Sequence, residues 1–221
     1  MSERQHPSSK QAIEFKRWQD LWRRMGGRSD PAAHFATLQR RYAEPQRAYH
    51  TLEHISDCLA QFDYVSPQAI CPDEVELALW LHDVIYDPQA ADNEERSARW
   101  AVDLLQEGGV SAACMAWVGE LILATRHTGA PDEPDARLVA DIDLSILGRS
   151  PEVFAVYEDR IRVEYQWVAE DIYRRERARI LETFLARVSI YQTPFFKERY
   201  EVQARENLKQ LLRKLRGVNN Y

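Results

Sequence analysis

The sequence predicts an all-α fold, and three observations carry that prediction. Helical periodicity dominates the apolar pattern from one end to the other. Strand-like alternation bounded by turn residues is scarce, and the 221 residues include only eight glycines. Helix start and stop signals recur at intervals suited to helices of ordinary length. Helices are expected at 11–25, 30–42, 49–63, 73–86, 93–107, 111–127, 136–147, 151–168, 173–189 and 194–216.

The first two follow from periodicity alone. In the third, Leu52, Ile55, Cys58, Leu59 and Phe62 fill an arc about 120° wide at 100° per residue. The fourth contains Leu77–Tyr86, apolar around its whole circumference, which places it at the centre of a helical protein. Pro88 after Asp87 should stop it. Asp92 precedes Glu95 by three residues, the spacing of a capping box opening the fifth helix, and Gly108-Gly109 ends it. The sixth runs to His127, before a loop marked by Pro131 and Pro134. In the seventh, Leu138, Val139, Ala140, Ile142, Leu144, Ile146 and Leu147 share one broad arc, and Gly148 ends it. The last helix should dock through Leu208, Leu211, Leu212 and Leu215, leaving its basic residues outside. No linker long enough to separate domains is visible. The chain reads as one domain, with a core near 45–150 and the helices of 151–216 added to it.

Composition narrows the function. Hydrophobic residues make up 45% and charged residues 29%, ordinary for a globular protein and far from disorder. The longest apolar run is about ten residues and holds a His and an Asp, too short for a membrane span. The first seven residues contain no apolar stretch of a secretory signal. Cys58, Cys71 and Cys114 form no CxxC, which excludes a Cys-rich zinc site and a disulfide framework. A reducing cytoplasm is the expected compartment. The net charge of −6 argues against nucleic acid as the main partner.

The informative residues are polar groups on apolar faces. Only His82 and Asp83 interrupt the central helix. A buried carboxylate needs a partner or a cation, so the pair reads as a structural hydrogen bond or as metal ligands. On the third helix His54 lies about 40° off the apolar arc, with His50 one turn earlier. An i, i+4 His pair can approach one metal together or simply lie exposed near the helix start. On the seventh helix Asp143 falls inside the arc, whereas Asp141 falls outside beside Ser145 and reads as solvated or supporting. His127 is a fourth candidate, alternatively a C-terminal His favoured by the helix dipole. A His/carboxylate set without thiolates suits Mn²⁺, Fe²⁺, Co²⁺, Ni²⁺ or Zn²⁺ ahead of Mg²⁺.

His54, His82-Asp83 and Asp143, in that order, resemble the H…HD…D signature of the HD-domain metal-dependent phosphohydrolase superfamily. The string Tyr49-His50-Thr51-Leu52-Glu53-His54 is similar to the YHNxxH string of cyclic-nucleotide phosphodiesterases, with Thr51 in place of Asn. Asp143-Leu144-Ser145 resembles their DLS string. Trp80–Asp87, Asn93–Glu95, Asp141–Gly148, Ile161–Tyr165 and Ala204–Leu208 resemble a bacterial subgroup of HD phosphohydrolases. The resemblance implies an all-α HD-type bundle with additional C-terminal helices. It implies a divalent metal on His54, His82, Asp83 and Asp143, with His50 as general acid. The substrate expected is a small phosphorylated molecule, nucleotides foremost.

Further roles are expected around that set. Glu94 can orient the attacking water or serve as a first-turn residue of its helix, and Glu95 is the capping-box partner. His127 can meet the substrate phosphate or a second metal, and Arg126, Arg162 and Tyr165 can contact phosphate. Two other functions compete: a metal-retaining sensor that binds a nucleotide without turnover, and a zinc peptidase through the HxxEH string His50–His54.

Overall fold

The computed structural model describes residues 9–217. The first seven residues, read above for a secretory signal, lie outside this range. Ten α-helices follow in order among the described residues: α1 Ser9–Arg24, α2 Pro31–Tyr42, α3 Leu52–Val65, α4 Pro72–Leu81, α5 Asn93–Glu107, α6 Ala112–Leu123, α7 Pro134–Asp143, α8 Pro151–Glu164, α9 Glu170–Leu185 and α10 Pro194–Leu215. Short 3₁₀ turns cover Ser66–Gln68, Ala124–Arg126 and Leu144–Gly148. No strand occurs among the described residues, so the all-α expectation holds. Among the described residues, no helix is long and apolar enough to cross a membrane.

The helix that is apolar all round is the central one. Leu77, Ala78, Leu79, Trp80 and Leu81 of α4 are all fully or nearly fully buried, with α1, α3, α6 and α7 packed around them. One hydrophobic core continues from Trp18 of α1 to Leu208 of α10. α10 docks by Leu208, with Leu211, Leu212 and Leu215 partly buried against the core.

Several boundaries differ from the sequence expectation, each for a local reason. α3 begins at Leu52 rather than 49, with Thr51 as its N-cap. The N–H groups of residues 48–50 are taken by Glu164 of α8 instead. α4 ends at Leu81 rather than 86, because a cation binds the carbonyls beyond it. Buried Arg47 donates to the carbonyls of Asp83 and Val84, and also to that of His50. The Tyr42 hydroxyl takes the carbonyl of Trp80. The capping box is not formed: the Asp92 side chain caps nothing, and Glu95 pairs with Arg126 at 2.9 Å. α5 does stop at Gly108, with Gly109 at φ 73°, the left-handed turn expected of glycine. α7 passes into a 3₁₀ turn after Asp143. The turn ends on Gly148, where any Cβ would lie 2.4 Å from that of Tyr200 on α10.

Candidate metal centre

α3 supplies His54, the end of α4 supplies His82-Asp83, and the end of α7 supplies Asp143. His54 and His82 are almost completely buried. Their Nε2 atoms lie 3.2 Å apart. Asp143 Oδ1 is 3.1 Å from His54 Nε2 and 3.5 Å from His82 Nε2. Asp83 Oδ2 is 3.1 Å from His82 Nε2 and 3.5 Å from His54 Nε2. The ligand atoms of His54, His82 and Asp143 all lie within 4.8 Å of one another, and this group could hold a metal ion. Asp83 stands beside it.

Donor identity and spacing both fit a small divalent cation. Ligands about 2.1 Å from a metal lie about 3.0 Å apart on an octahedral edge and about 3.4 Å on a tetrahedral one. The five separations here run from 3.1 to 3.5 Å. His82 Nδ1 faces the Leu79 carbonyl at 3.1 Å, a contact that requires the proton on Nδ1. In the neutral ring this leaves the Nε2 lone pair aimed at the cluster, the usual arrangement of a metal-binding histidine. Asp83 Oδ2 is buried without a hydrogen bond. Lone pairs facing lone pairs need a positive charge among them.

The titration behaviour agrees. Burial disfavours the His82 imidazolium, but Asp83 and Asp143 override it and raise its pKa well above the ordinary value. Burial likewise opposes ionisation of Asp83, and His82, His50 and His54 hold its pKa low all the same. Asp143 is pulled well below the carboxylate range against burial by His127, His54 and His82. A proton on His82 and a divalent cation therefore compete for one atom.

His50 is held apart from this group by a second device. Its Nδ1 meets Glu164 Oε2 at 2.6 Å, and its ring stacks on Tyr86 with centroids 4.2 Å apart. Glu164 is itself anchored: Oε1 accepts from the backbone N–H groups of Ala48, Tyr49 and His50, and Oε2 accepts from the Tyr86 hydroxyl. These donors outweigh burial and hold the Glu164 pKa down at about 2. The His50 pKa is raised: burial opposes the charge, and Asp83 and Glu164 more than compensate.

A cavity of about 210 Å³ opens on the cluster, lined by His50, Asp83, Glu94, His127 and Asp143 among others. Burial raises the Glu94 pKa, with help from Asp83. His127 Nε2 binds Asp143 Oδ2 at 2.8 Å, so the two oxygens of Asp143 face different partners. His127 adopts φ 54°, and its carbonyl accepts from the guanidinium of Arg187, which lies over the Phe184 ring.

The three residues expected to contact phosphate are not in the lining of this cavity. Arg126 pairs with Glu95. Arg162 binds Glu170 and the carbonyls of Tyr165 and Val168. Tyr165 lines a different cavity. Asp141 is not solvated: it is buried and accepts from the N–H groups of Gln192 and Thr193, the two residues that precede α10. Glu53 of the HxxEH string is mostly exposed and pairs with Arg160 at 2.8 Å, away from the cluster.

Sequence reading passed over Glu164, Arg47 and Arg177. Glu164 stands within the Ile161–Tyr165 string and on the apolar stripe of Phe154 and Ile161, and neither names its partner. Arg177 of α9 also lines the metal-site cavity and is bound to Glu158 and to the Tyr157 hydroxyl. Comparison with protein-family models, with curated proteins and with solved structures gives no match for this chain.

Proposed function

We propose that the chain is a metal-dependent phosphohydrolase of the HD type, cleaving a phosphoester of a small molecule, with nucleotides among the substrates to be tried. The observation that carries this reading is the convergence of His54, His82, Asp83 and Asp143 within a few ångströms, at the floor of a cavity that also contains His50. His54, His82 and Asp143 would hold the cation, with Asp83 as the fourth ligand. A divalent metal in such a set lowers the pKa of water and polarises a phosphoryl oxygen.

The chain's own groups supply the rest. Glu164 holds His50 by Nδ1, which leaves Nε2 for the substrate. With its pKa raised by Asp83 and Glu164, His50 is the group placed to deliver a proton to the departing ester oxygen. Glu94 accepts a hydrogen bond from the attacking water and orients it. Water adds to phosphorus, the P–O bond to the leaving group breaks, and phosphate and an alcohol result. His127 keeps Asp143 in place through Oδ2 and faces the same cavity.

The test is elemental analysis of the purified protein, followed by a hydrolysis panel of p-nitrophenyl phosphate and nucleotides with Mn²⁺, Co²⁺, Ni²⁺ or Mg²⁺. The expected result is turnover that disappears in both His82→Ala and Asp83→Asn, together with the bound metal. Tight nucleotide binding without turnover under every metal would replace the enzyme with a sensor.

A further inference from the structure

Beside the metal-site cavity lies a second, larger one of about 520 Å³. That volume is in the range of small-molecule sites. The turn after α8 and one face of α9 form it, with Tyr165, Trp167, Ile172, Tyr173 and Ile180 in its wall. Trp167, Ile172 and Ile180 are exposed, at 54%, 41% and 43%. Arg177 lines both cavities. Tyr157, on the metal side, accepts from the same guanidinium at 3.0 Å. The two cavities therefore share a wall.

The charged groups of the larger cavity are already engaged. Arg177 is bound by Glu158 and Tyr157, and Glu176 pairs with Arg175 and Arg179. The neutral polar groups of its lining include the Gln89 amide and the Tyr165 and Tyr173 hydroxyls. What remains is apolar and aromatic surface, which recognises area rather than pattern.

We propose that this second cavity receives the leaving group of the substrate, and that the substrate is a phosphate ester of an uncharged apolar alcohol or phenol. The inference rests on the phosphohydrolase reading for the position of the phosphate. The ester bond would lie at the metal-site cavity and the apolar group would reach past Arg177 into the larger one. A concave site that shares a residue with the metal-site cavity fits a tethered small group better than a second copy of the chain.

Two measurements test this, with Ile172→Gln and Ile180→Gln as variants at exposed positions. The first is the ratio of kcat/KM for 1-naphthyl phosphate to that for glycerol 2-phosphate. Wild-type protein should favour the naphthyl ester, and each variant should lower the ratio about tenfold. The second is equilibrium binding of naphthyl phosphonate, followed by tryptophan fluorescence. It should be weakened in the variants and should be seen whether or not turnover occurs. Binding weakened by the variants, with no hydrolysis of any ester, would keep the apolar subsite and remove the enzyme. Hydrolysis with a ratio near one, unmoved by the variants, would keep the enzyme and overturn the subsite. A dimer in sedimentation equilibrium that Ile172→Gln dissociates would also overturn it, making this face an interface between copies.

Discussion

Glu164 and Asp83 both point inward, and their surroundings are opposite. Glu164 receives five hydrogen bonds, from three backbone N–H groups, the His50 ring and the Tyr86 hydroxyl. Asp83 has a buried oxygen that receives none, with two imidazole nitrogens nearby. Burial alone therefore does not separate a carboxylate that builds the protein from one that could hold an ion. The donors around it do. A carboxylate surrounded by N–H and O–H groups is complete, whereas one facing ring lone pairs calls for a cation.

Exchanging each carboxylate for its amide gives the sharpest contrast. Glu164→Gln should destabilise the fold by about 3–5 kcal/mol, because it breaks a buried charged network. Thermal unfolding would register this as a fall of roughly 6–20 °C in a chain of this size. Asp83→Asn should abolish metal binding with a smaller fall in Tm. Equal falls in Tm would dissolve the distinction. The Glu164 network also has a pH signature. Its folded pKa of about 2 lies below the ordinary 4.5, so its stabilisation is complete above pH 4.5 and is lost as pH falls toward 2. Acid unfolding monitored by circular dichroism should show that limb in the wild type and a weaker one in Glu164→Gln.

A smaller effect is expected at the group that Glu164 holds. His50→Gln should lower kcat by about 10²–10⁴-fold, the range of a lost general acid, with metal content unchanged by elemental analysis. Loss of metal in this variant would move His50 into the ligand set. The smallest effect is expected at Arg126, whose partner is the half-buried Glu95. Arg126→Ala should cost under about 1 kcal/mol in chemical denaturation and leave kcat within about twofold. A large rise in KM would return Arg126 to the phosphate.

Much of this arrangement is legible in the sequence, because inward polar residues stand out on apolar helices. His82 and Asp83 interrupt an otherwise apolar segment, and Asp143 falls within an apolar arc. Asp141 shows where the method stops. A helical wheel measures one packing face, and Asp141 lies off it, yet the residues leading into α10 cover that second face and bind the carboxylate. Glu164 was hidden for another reason: its partner His50 is 114 residues away, and no local pattern encodes such a distance. The early end of α4 was equally invisible, because the carbonyls beyond it are held by Arg47 from a preceding loop rather than by a breaker in its own sequence.

The Glu164 anchor is also the late-made part of this arrangement. Chains emerge from the ribosome N-terminus first, at about 5–20 residues per second. The three histidine- and aspartate-bearing helices are therefore made before α8 exists. A nascent chain that has passed Asp143 holds every candidate ligand, but its His50 has no Glu164 to lean on until some twenty further residues follow. The candidate ligands and the anchor of His50 are thus separated in time by the translation of a single helix.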